Sequence, residues 1–537
     1  MMLFRRLTLK RAKNVSQNFL KKTFGTLLVL TLLMSHVLYS TTASATGQTS
    51  ADLPNLQDCF LDGLTEKAQC GKISVPENYQ KPDGKRIDIY FARIPAIKNI
   101  PGNAPLLAIA GGPGQSAIDS ARIFSQVFYR TRQDRDLILI DQRGTGRSNL
   151  LQCEDQNKRD LSINDQLLDI AQLAKECLQQ LSKESDVAQY GSLTALKDLE
   201  YVRKHLQIEQ WHLYGISYGT RMAQLYMRLY PQSLVTVTLD GVVPMQHSVI
   251  TIGSAINRAF TQLMDDCSNN QDCQNSYPNL QQQLTQLTEQ LAENPIKIQV
   301  NDPITAEPKQ FLITQNKLLG SLRMAMYTPS IRTMIPLIID HAAKGNYQPL
   351  LGLYGSSGGA SGNNGIALGM HMAVACGEDF YRLDPKQAEK LKQSSAIAAE
   401  TVKLFTIACP IWNIPAVGKG FSQPIESEIP TLLLSGNLDP ATPPSWGEMA
   451  KVRLKNNRHF IAPYATHGVA FQSCAANLIE QMIEEKSVEN LDDSCLKKDT
   501  RRDFFLNANG RSSKQLVDSK PDQKAQNQTS QGATTND

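Results

Sequence analysis

Short apolar runs recur through the first half of the chain, each closed by Gly, Asp or Pro. Leu106–Ala110, Leu137–Ile140, Trp211–Ile216 and Val235–Leu239 are of this kind, while Ile87–Ala92 alternates apolar and polar positions. A short unbroken apolar run suits a strand buried on both faces of a parallel sheet, and alternation suits an edge or antiparallel strand. Between the runs, Thr194–Leu206 and Arg221–Tyr230 carry apolar residues at helical spacing. This alternation predicts an α/β sheet covered by helices. After Pro244 the pattern changes. Residues 246–425 are rich in Gln, Asn and helical stretches, with a glycine-serine loop at Gly355–Gly365, before strand character returns at Thr431–Leu434 and His459–Ala462. The order predicts one α/β core (residues 46–245 and 426–508) interrupted by a mostly helical insertion (246–425). From about Asn509 to the end, Lys, Gln, Asn, Ser and Thr predominate, the composition of a disordered tail.

The N-terminus stands apart from this pattern. Residues 1–22 hold seven Lys/Arg and no acid, an apolar run follows from Phe24 to Tyr39, and Ala43-Ser44-Ala45 supplies an A-x-A cleavage pattern. This is the layout of a secretory signal peptide covering residues 1–45. The run is shorter than the ~20 apolar residues a membrane span needs. Removing the segment changes the charge balance. The whole chain carries 55 basic and 51 acidic residues, and without those seven the count is 48 against 51, a net of −3. The basic excess belongs to the targeting segment, so nucleic-acid binding loses its compositional support. The expected location is the periplasm or the exterior.

Export also accounts for the ten cysteines, an even number in a compartment where disulfides persist. Sequence alone does not fix their connectivity. Spacing suggests neighbours: Cys59/Cys70, Cys153/Cys177, Cys267/Cys273, Cys376/Cys409 and Cys474/Cys495. No C-x2-C pair and no histidine cluster accompany them, which argues against a zinc site.

The candidate chemistry lies at Gly215-Ile216-Ser217-Tyr218-Gly219. A chance G-x-S-x-G is expected about once in ten chains of this length, so context decides. A serine hydroxyl becomes a nucleophile only when a base accepts its proton and a third group orients the base. The nucleophile elbow of α/β-hydrolases places such a serine between a strand and a helix, with acid and histidine later in the chain. Here the strand is Trp211–Ile216 and the helix Arg221–Tyr230. His467, in Ala465-Thr466-His467-Gly468-Val469 after the last strand-like run, is the expected base, and His459 within that run is expected to be structural. Asp439, in the turn Ser435-Gly436-Asn437-Leu438-Asp439-Pro440, is the expected acid, with Asp240 at the end of an earlier strand as runner-up. The oxyanion hole needs two backbone N–H groups. Tyr218 and Gly112, the latter in Gly111-Gly112-Pro113-Gly114, are the candidates.

These stretches, together with Asp141-Gln142-Arg143-Gly144-Thr145-Gly146-Arg147-Ser148, resemble the prolyl and tripeptidyl aminopeptidase group of α/β-hydrolase serine peptidases. The segment from Pro430 through Cys495, with Leu438-Asp439-Pro440-Ala441-Thr442-Pro443 and His467-Gly468, is similar to the C-terminal region of secreted tripeptidyl-aminopeptidase-like proteins. The resemblance covers residues 60–245 and 370–495. It implies a cap over the site and peptides with a free N-terminus as substrates, and it supports the Cys153/Cys177 and Cys474/Cys495 pairs; since the sequence carries no metal, nucleotide or flavin motif, no cofactor is expected. It also implies an acid that holds the substrate α-amine, for which Glu378 and Asp379 in Cys376-Gly377-Glu378-Asp379 are the local candidates. Ala110 departs from the group, whose single-domain prolyl aminopeptidases carry His before the two glycines. That favours the larger secreted branch over strict prolyl specificity. A carboxylesterase of the same fold and a non-catalytic binding protein are the alternatives. An esterase cap would be mainly apolar, and a binding protein would have lost part of the triad.

Overall fold

The computed structural model describes residues 56–153, 161–301, 306–356 and 365–510. The expected export segment, and the expected tail from residue 511 onward, lie outside these residues.

Eleven strands occur among the described residues. They are β1 (Gln57–Cys59), β2 (Ala68–Pro76), β3 (Arg86–Ile94), β4 (Leu106–Ile109), β5 (Leu137–Ile140), β6 (Trp211–Ile216), β7 (Leu234–Asp240), β8 (Ile296–Asn301), β9 (Pro308–Ile313), β10 (Thr431–Gly436) and β11 (Asn457–Ala462). Nine of them form one sheet in the order β1-β2-β3-β5-β4-β6-β7-β10-β11. The β1–β2, β2–β3 and β3–β5 pairs are antiparallel, and every pair from β5 to β11 is parallel.

Both faces of the sheet are covered, which is why its central strands read as unbroken apolar runs. Leu107, Ile109, Ile138, Leu213, Val237, Leu239 and Leu433 point to one face, where they pack with helices Ser192–His205 and Tyr218–Leu229. Leu106, Ala108, Leu139, Tyr214, Leu432 and Leu434 point to the other, toward helix Ala475–Glu485. The predicted α/β-hydrolase architecture is the one observed.

Between β7 and its parallel neighbour β10 lies a long insertion that includes helices Ile252–Ser268, Leu280–Glu293, Gln315–Ala325, Ile335–Ala343, Leu368–Val374 and Ala396–Trp412. Much of it has its own apolar core, built on Leu263, Leu287, Phe311, Leu322 and Ile338, to which Phe504 from beyond β11 is added. The insertion also contains an antiparallel hairpin, β8 with β9. Residues Ile296–Asn301 alternate half-buried with exposed, the two-residue period of a strand with one wet face.

All five cysteine neighbours are joined: Cys59–Cys70, Cys153–Cys177, Cys267–Cys273, Cys376–Cys409 and Cys474–Cys495. No free cysteine occurs among the described residues.

Candidate active site

Ligand sites in open parallel sheets form beyond the carboxyl ends of the strands. Five adjacent strands, β4-β6-β7-β10-β11, deliver their C-terminal loops to one edge of the sheet. Those strand ends and loops carry Gly111–Gly114, Ser217, Asp240, Asp439 and His467 in turn.

Ser217 links β6 to helix Tyr218–Leu229 with φ 56° and ψ −124°. That conformation is costly for a residue with a side chain, and such strain clusters at functional sites. The flanking glycines make it sterically possible. A Cβ on Gly215 would stand 2.3 Å from the Gly219 carbonyl oxygen, and one on Gly219 would stand 2.5 Å from the Ile109 carbonyl oxygen. The Ser217 N–H donates to the Asp240 carbonyl at 2.9 Å, tying the elbow to the end of β7. Ser217 is partly exposed, and its hydroxyl makes no hydrogen bond among the described residues. Catalytic hydrogen bonds are often loose before substrate binds.

His467 Nδ1 lies 2.8 Å from Asp439 Oδ2. The Asp439 carboxylate is fully buried and also accepts the N–H groups of Ala441 and Thr442, at 2.7 and 2.9 Å, and the Thr442 hydroxyl at 2.7 Å. Burial acts to raise this carboxyl, but His467 and the two backbone donors outweigh it and hold it below the usual carboxylate range. Burial likewise pulls His467 down, and the charge and hydrogen bond of Asp439 overcome that and hold the imidazole above its ordinary value. From the insertion, Arg258 donates to the Asp439 carbonyl at 2.6 Å and fastens the acid turn from outside.

Asp240 is occupied otherwise. Its carboxylate accepts Val469 N–H, Ala470 N–H and the Tyr214 hydroxyl, at 2.8, 2.9 and 2.8 Å. It holds the loop that carries His467 rather than the imidazole itself. His459 bonds Glu448 through Nδ1 and Ser435 through Nε2, away from the elbow.

Opposite the elbow, Gly112 has φ +108° and precedes a cis peptide to Pro113. A Cβ on Gly112 would fall 2.5 Å from Gly114 N, so only glycine fits. Neither Gly112 N–H nor Tyr218 N–H has an acceptor among the described residues. The Asp141 carboxylate clamps this loop. It accepts the Ser116 hydroxyl at 2.6 Å and the N–H groups of Ile118 and Arg147, each at 3.1 Å. The Asp141–Ser148 motif thus supports the site from behind, as does buried Arg143, which pairs with Asp198 at 2.6 Å.

Glu378 and Asp379 do not stand at the mouth of the site, and the expectation for them is corrected. Asp379 is fully buried and accepts Arg221 at 2.7 and 3.0 Å, Arg382 at 2.9 Å and Val249 N–H at 2.9 Å. Glu378, 2 % exposed, accepts Ser192 N–H at 2.6 Å and its hydroxyl at 2.8 Å, and that hydroxyl also meets the Tyr218 hydroxyl at 2.7 Å. Burial pushes the Glu378 carboxyl up to about 7. Arg221 belongs to the helix that follows the elbow, so both acids brace that helix from inside. Both carboxylates are engaged inside the fold and buried from solvent. Arg221 in the elbow motif was the available signal, since a buried arginine needs buried partners.

A family model described as the alpha/beta hydrolase fold matches residues 104–291, and one described as TAP-like protein matches residues 395–495. The chain is 24% identical over 407 residues to Serine protease Hip1 of Mycobacterium tuberculosis (strain ATCC 25618 / H37Rv), across 70% of this chain and 77% of that one. It is 27% identical over 209 residues to Tripeptidyl aminopeptidase of Streptomyces lividans, across 35% and 38% of the two chains. It is 27% identical over 226 residues to Carboxylesterase B of Mycobacterium tuberculosis (strain CDC 1551 / Oshkosh), across 38% and 43%. The strand order and the elbow are those of the alpha/beta hydrolase fold, and the C-terminal region is similar to TAP-like proteins.

Proposed function

We propose that the protein is an exported serine peptidase in which Ser217, His467 and Asp439 form the catalytic triad. The observation that carries this is a buried Asp439–His467 pair and a serine held in a strained elbow, both at the carboxyl edge of the same parallel strands. Ser217 Oγ attacks the scissile carbonyl while His467 Nε2 takes its proton, and Asp439 keeps Nδ1–H pointed at itself. The N–H groups of Gly112 and Tyr218 stabilise the oxyanion. The protonated imidazole then donates to the leaving amine, and water hydrolyses the acyl-enzyme by the same steps.

Release of residues from a free N-terminus is the form of this activity that the similarity to a tripeptidyl aminopeptidase favours. With Glu378 and Asp379 occupied, the α-amine must be read by another group or by backbone carbonyls. Five disulfides support export, and no described helix is long and apolar enough to cross a membrane. The insertion is the cap of this reading. A carboxylesterase is the second reading, favoured by the similarity to Carboxylesterase B and by the lack of a free acid at Glu378 and Asp379. Mature protein assayed on free and N-acetylated peptides and on simple acyl esters separates them. The aminopeptidase cuts free-amine peptides and turns over acetylated ones poorly, whereas equal turnover of blocked peptides and esters establishes the esterase.

A further inference from the structure

The insertion reaches the site through the end of helix Gln315–Ala325 and the turn that follows it. The Tyr327 carbonyl there accepts the Thr466 hydroxyl at 2.6 Å, and its ring stands edge-on to the His467 imidazole with centroids 5.2 Å apart. Arg323 lies four residues earlier, in the last turn of that helix. The Arg323 charge also bears on both imidazoles that border the site, His467 on the acid side and His371 on the other. His371 Nδ1 approaches the Pro113 carbonyl of the oxyanion loop at 3.2 Å.

Arg323 has no answering anion. Its guanidinium takes part in no ion pair and no hydrogen bond among the described residues, and its Nε is buried without a partner. The other arginines packed at this end of the molecule are spent. Arg258 serves the carbonyls of Asn437 and Asp439, while Arg221 and Arg382 serve Asp379. Proximity to a helix C-terminus makes a cation favourable but does not satisfy a buried N–H. A planar fork with unmet donors, partly open and close enough to the proposed base for its charge to be felt there, fits a carboxylate.

We infer that Arg323 is a specificity residue that receives a carboxylate of the substrate, supplied by an acidic side chain or by the free C-terminus of a short peptide. This rests on the peptidase function proposed above and narrows its substrates. A charge-assisted contact in a partly dry site is worth roughly a ten- to hundredfold change in kcat/KM.

The test uses matched peptides that differ by Glu against Gln at each position near the cleaved bond, and by a free against an amidated C-terminus. Wild-type protein is expected to prefer one acid over its amide by about ten- to a hundredfold, mostly in KM. Which pair shows the preference identifies the source of the carboxylate. Arg323→Gln should bring that ratio to near one, Arg323→Lys should restore part of it, and Arg323→Glu should favour Lys at the same position. Wild-type ratios near one throughout the panel, or a ratio unchanged in Arg323→Gln, overturn the inference. The wild-type comparison decides even if a variant does not fold. If no peptide is cut but esters are, the peptidase function fails separately, and hemisuccinate against neutral acyl esters then poses the same question of Arg323.

Discussion

The carboxylate of Asp240, at the end of β7, accepts the N–H of Val469 at 2.8 Å and so holds the loop of the proposed base. Asp240 is the residue the sequence offers as an alternative acid, and its place beside β6 explains the attraction. Its oxygens are filled by the loop and by Tyr214, leaving Asp439 to the imidazole. Asp240→Asn replaces one acceptor by an NH2 group that faces the N–H of either Val469 or Ala470. The loop must then move, and kcat should fall by roughly ten- to a hundredfold, a cost comparable to that of misplacing a catalytic group. Retained near-wild-type kcat, with only a lowered Tm, would make Asp240 a purely structural residue.

Ser217→Ala should abolish turnover, and labelling by a serine-directed phosphonylating reagent, with the cooperative thermal transition retained. His467→Ala should cost several orders of magnitude, whereas His459→Ala, which removes contacts to Glu448 and Ser435, should act on Tm more than on kcat. Equal kinetic losses in the two histidine variants would show that the base has been misassigned.

His467 must be neutral to accept the serine proton. Because Asp439 holds its pKa above the ordinary 6.5 against the opposing pull of burial, kcat/KM should fall toward acid pH, with the limb displaced above 6.5. Asp439→Asn removes the anion that raises it, so the surviving activity should show the limb at lower pH while kcat drops by about 10³–10⁴-fold. A limb that stays in place in Asp439→Asn would separate this carboxylate from the titration.

Most of the core sheet was legible in the sequence because buried parallel strands and a strand–elbow–helix motif leave dense local signals. Seven strands fall on the apolar runs read from it, and the elbow helix begins three residues before the expected Arg221. Two things were not legible. The β8–β9 hairpin sits in a region dominated by helices, and its Ile-Lys-Ile-Gln-Val-Asn alternation is only six residues long. The roles of Glu378, Asp379 and Asp240 depend on contacts across 26 to 230 positions of sequence, which no local period reports. A pair of adjacent acids suggests a cation, and there is one. It is the protein's own Arg221 rather than a substrate.

The disulfides suggest a further measurement. Three of them close short loops in the core, at Cys59–Cys70, Cys153–Cys177 and Cys474–Cys495, and Cys376–Cys409 ties the segment bearing Glu378 and Asp379 to helix Ala396–Trp412. Peptide mapping without reduction should recover these links together with Cys267–Cys273. Replacing the Cys376–Cys409 pair by Ala should cost about 2–5 kcal/mol of stability. Ten free thiols in protein taken from its native compartment would contradict both the links and the proposed export.

Glu378 offers a test of the buried network beneath the elbow by pH. Its carboxyl is pushed up to about 7 from an ordinary 4.5, first by burial and against the pull of Arg221 and Ser192. The charged groups around it are Arg221 and Asp379, with Arg382 bound to the latter, and Tyr218 faces it through Ser192. Between pH 4.5 and 7 the folded protein keeps the Glu378 proton while the unfolded chain has lost it, so unfolding releases a proton. The stability associated with the raised pKa is therefore fully present below pH 4.5 and is lost as pH rises through 7. Glu378→Gln keeps an acceptor for the Ser192 N–H and cannot ionise. The difference in Tm, wild type minus Glu378→Gln, should decline steadily from pH 4.5 to 7 and be flat on either side. A difference that stays constant from pH 4 to 9 would mean that Glu378 is ionised throughout, as one half of a buried ion pair with Arg221.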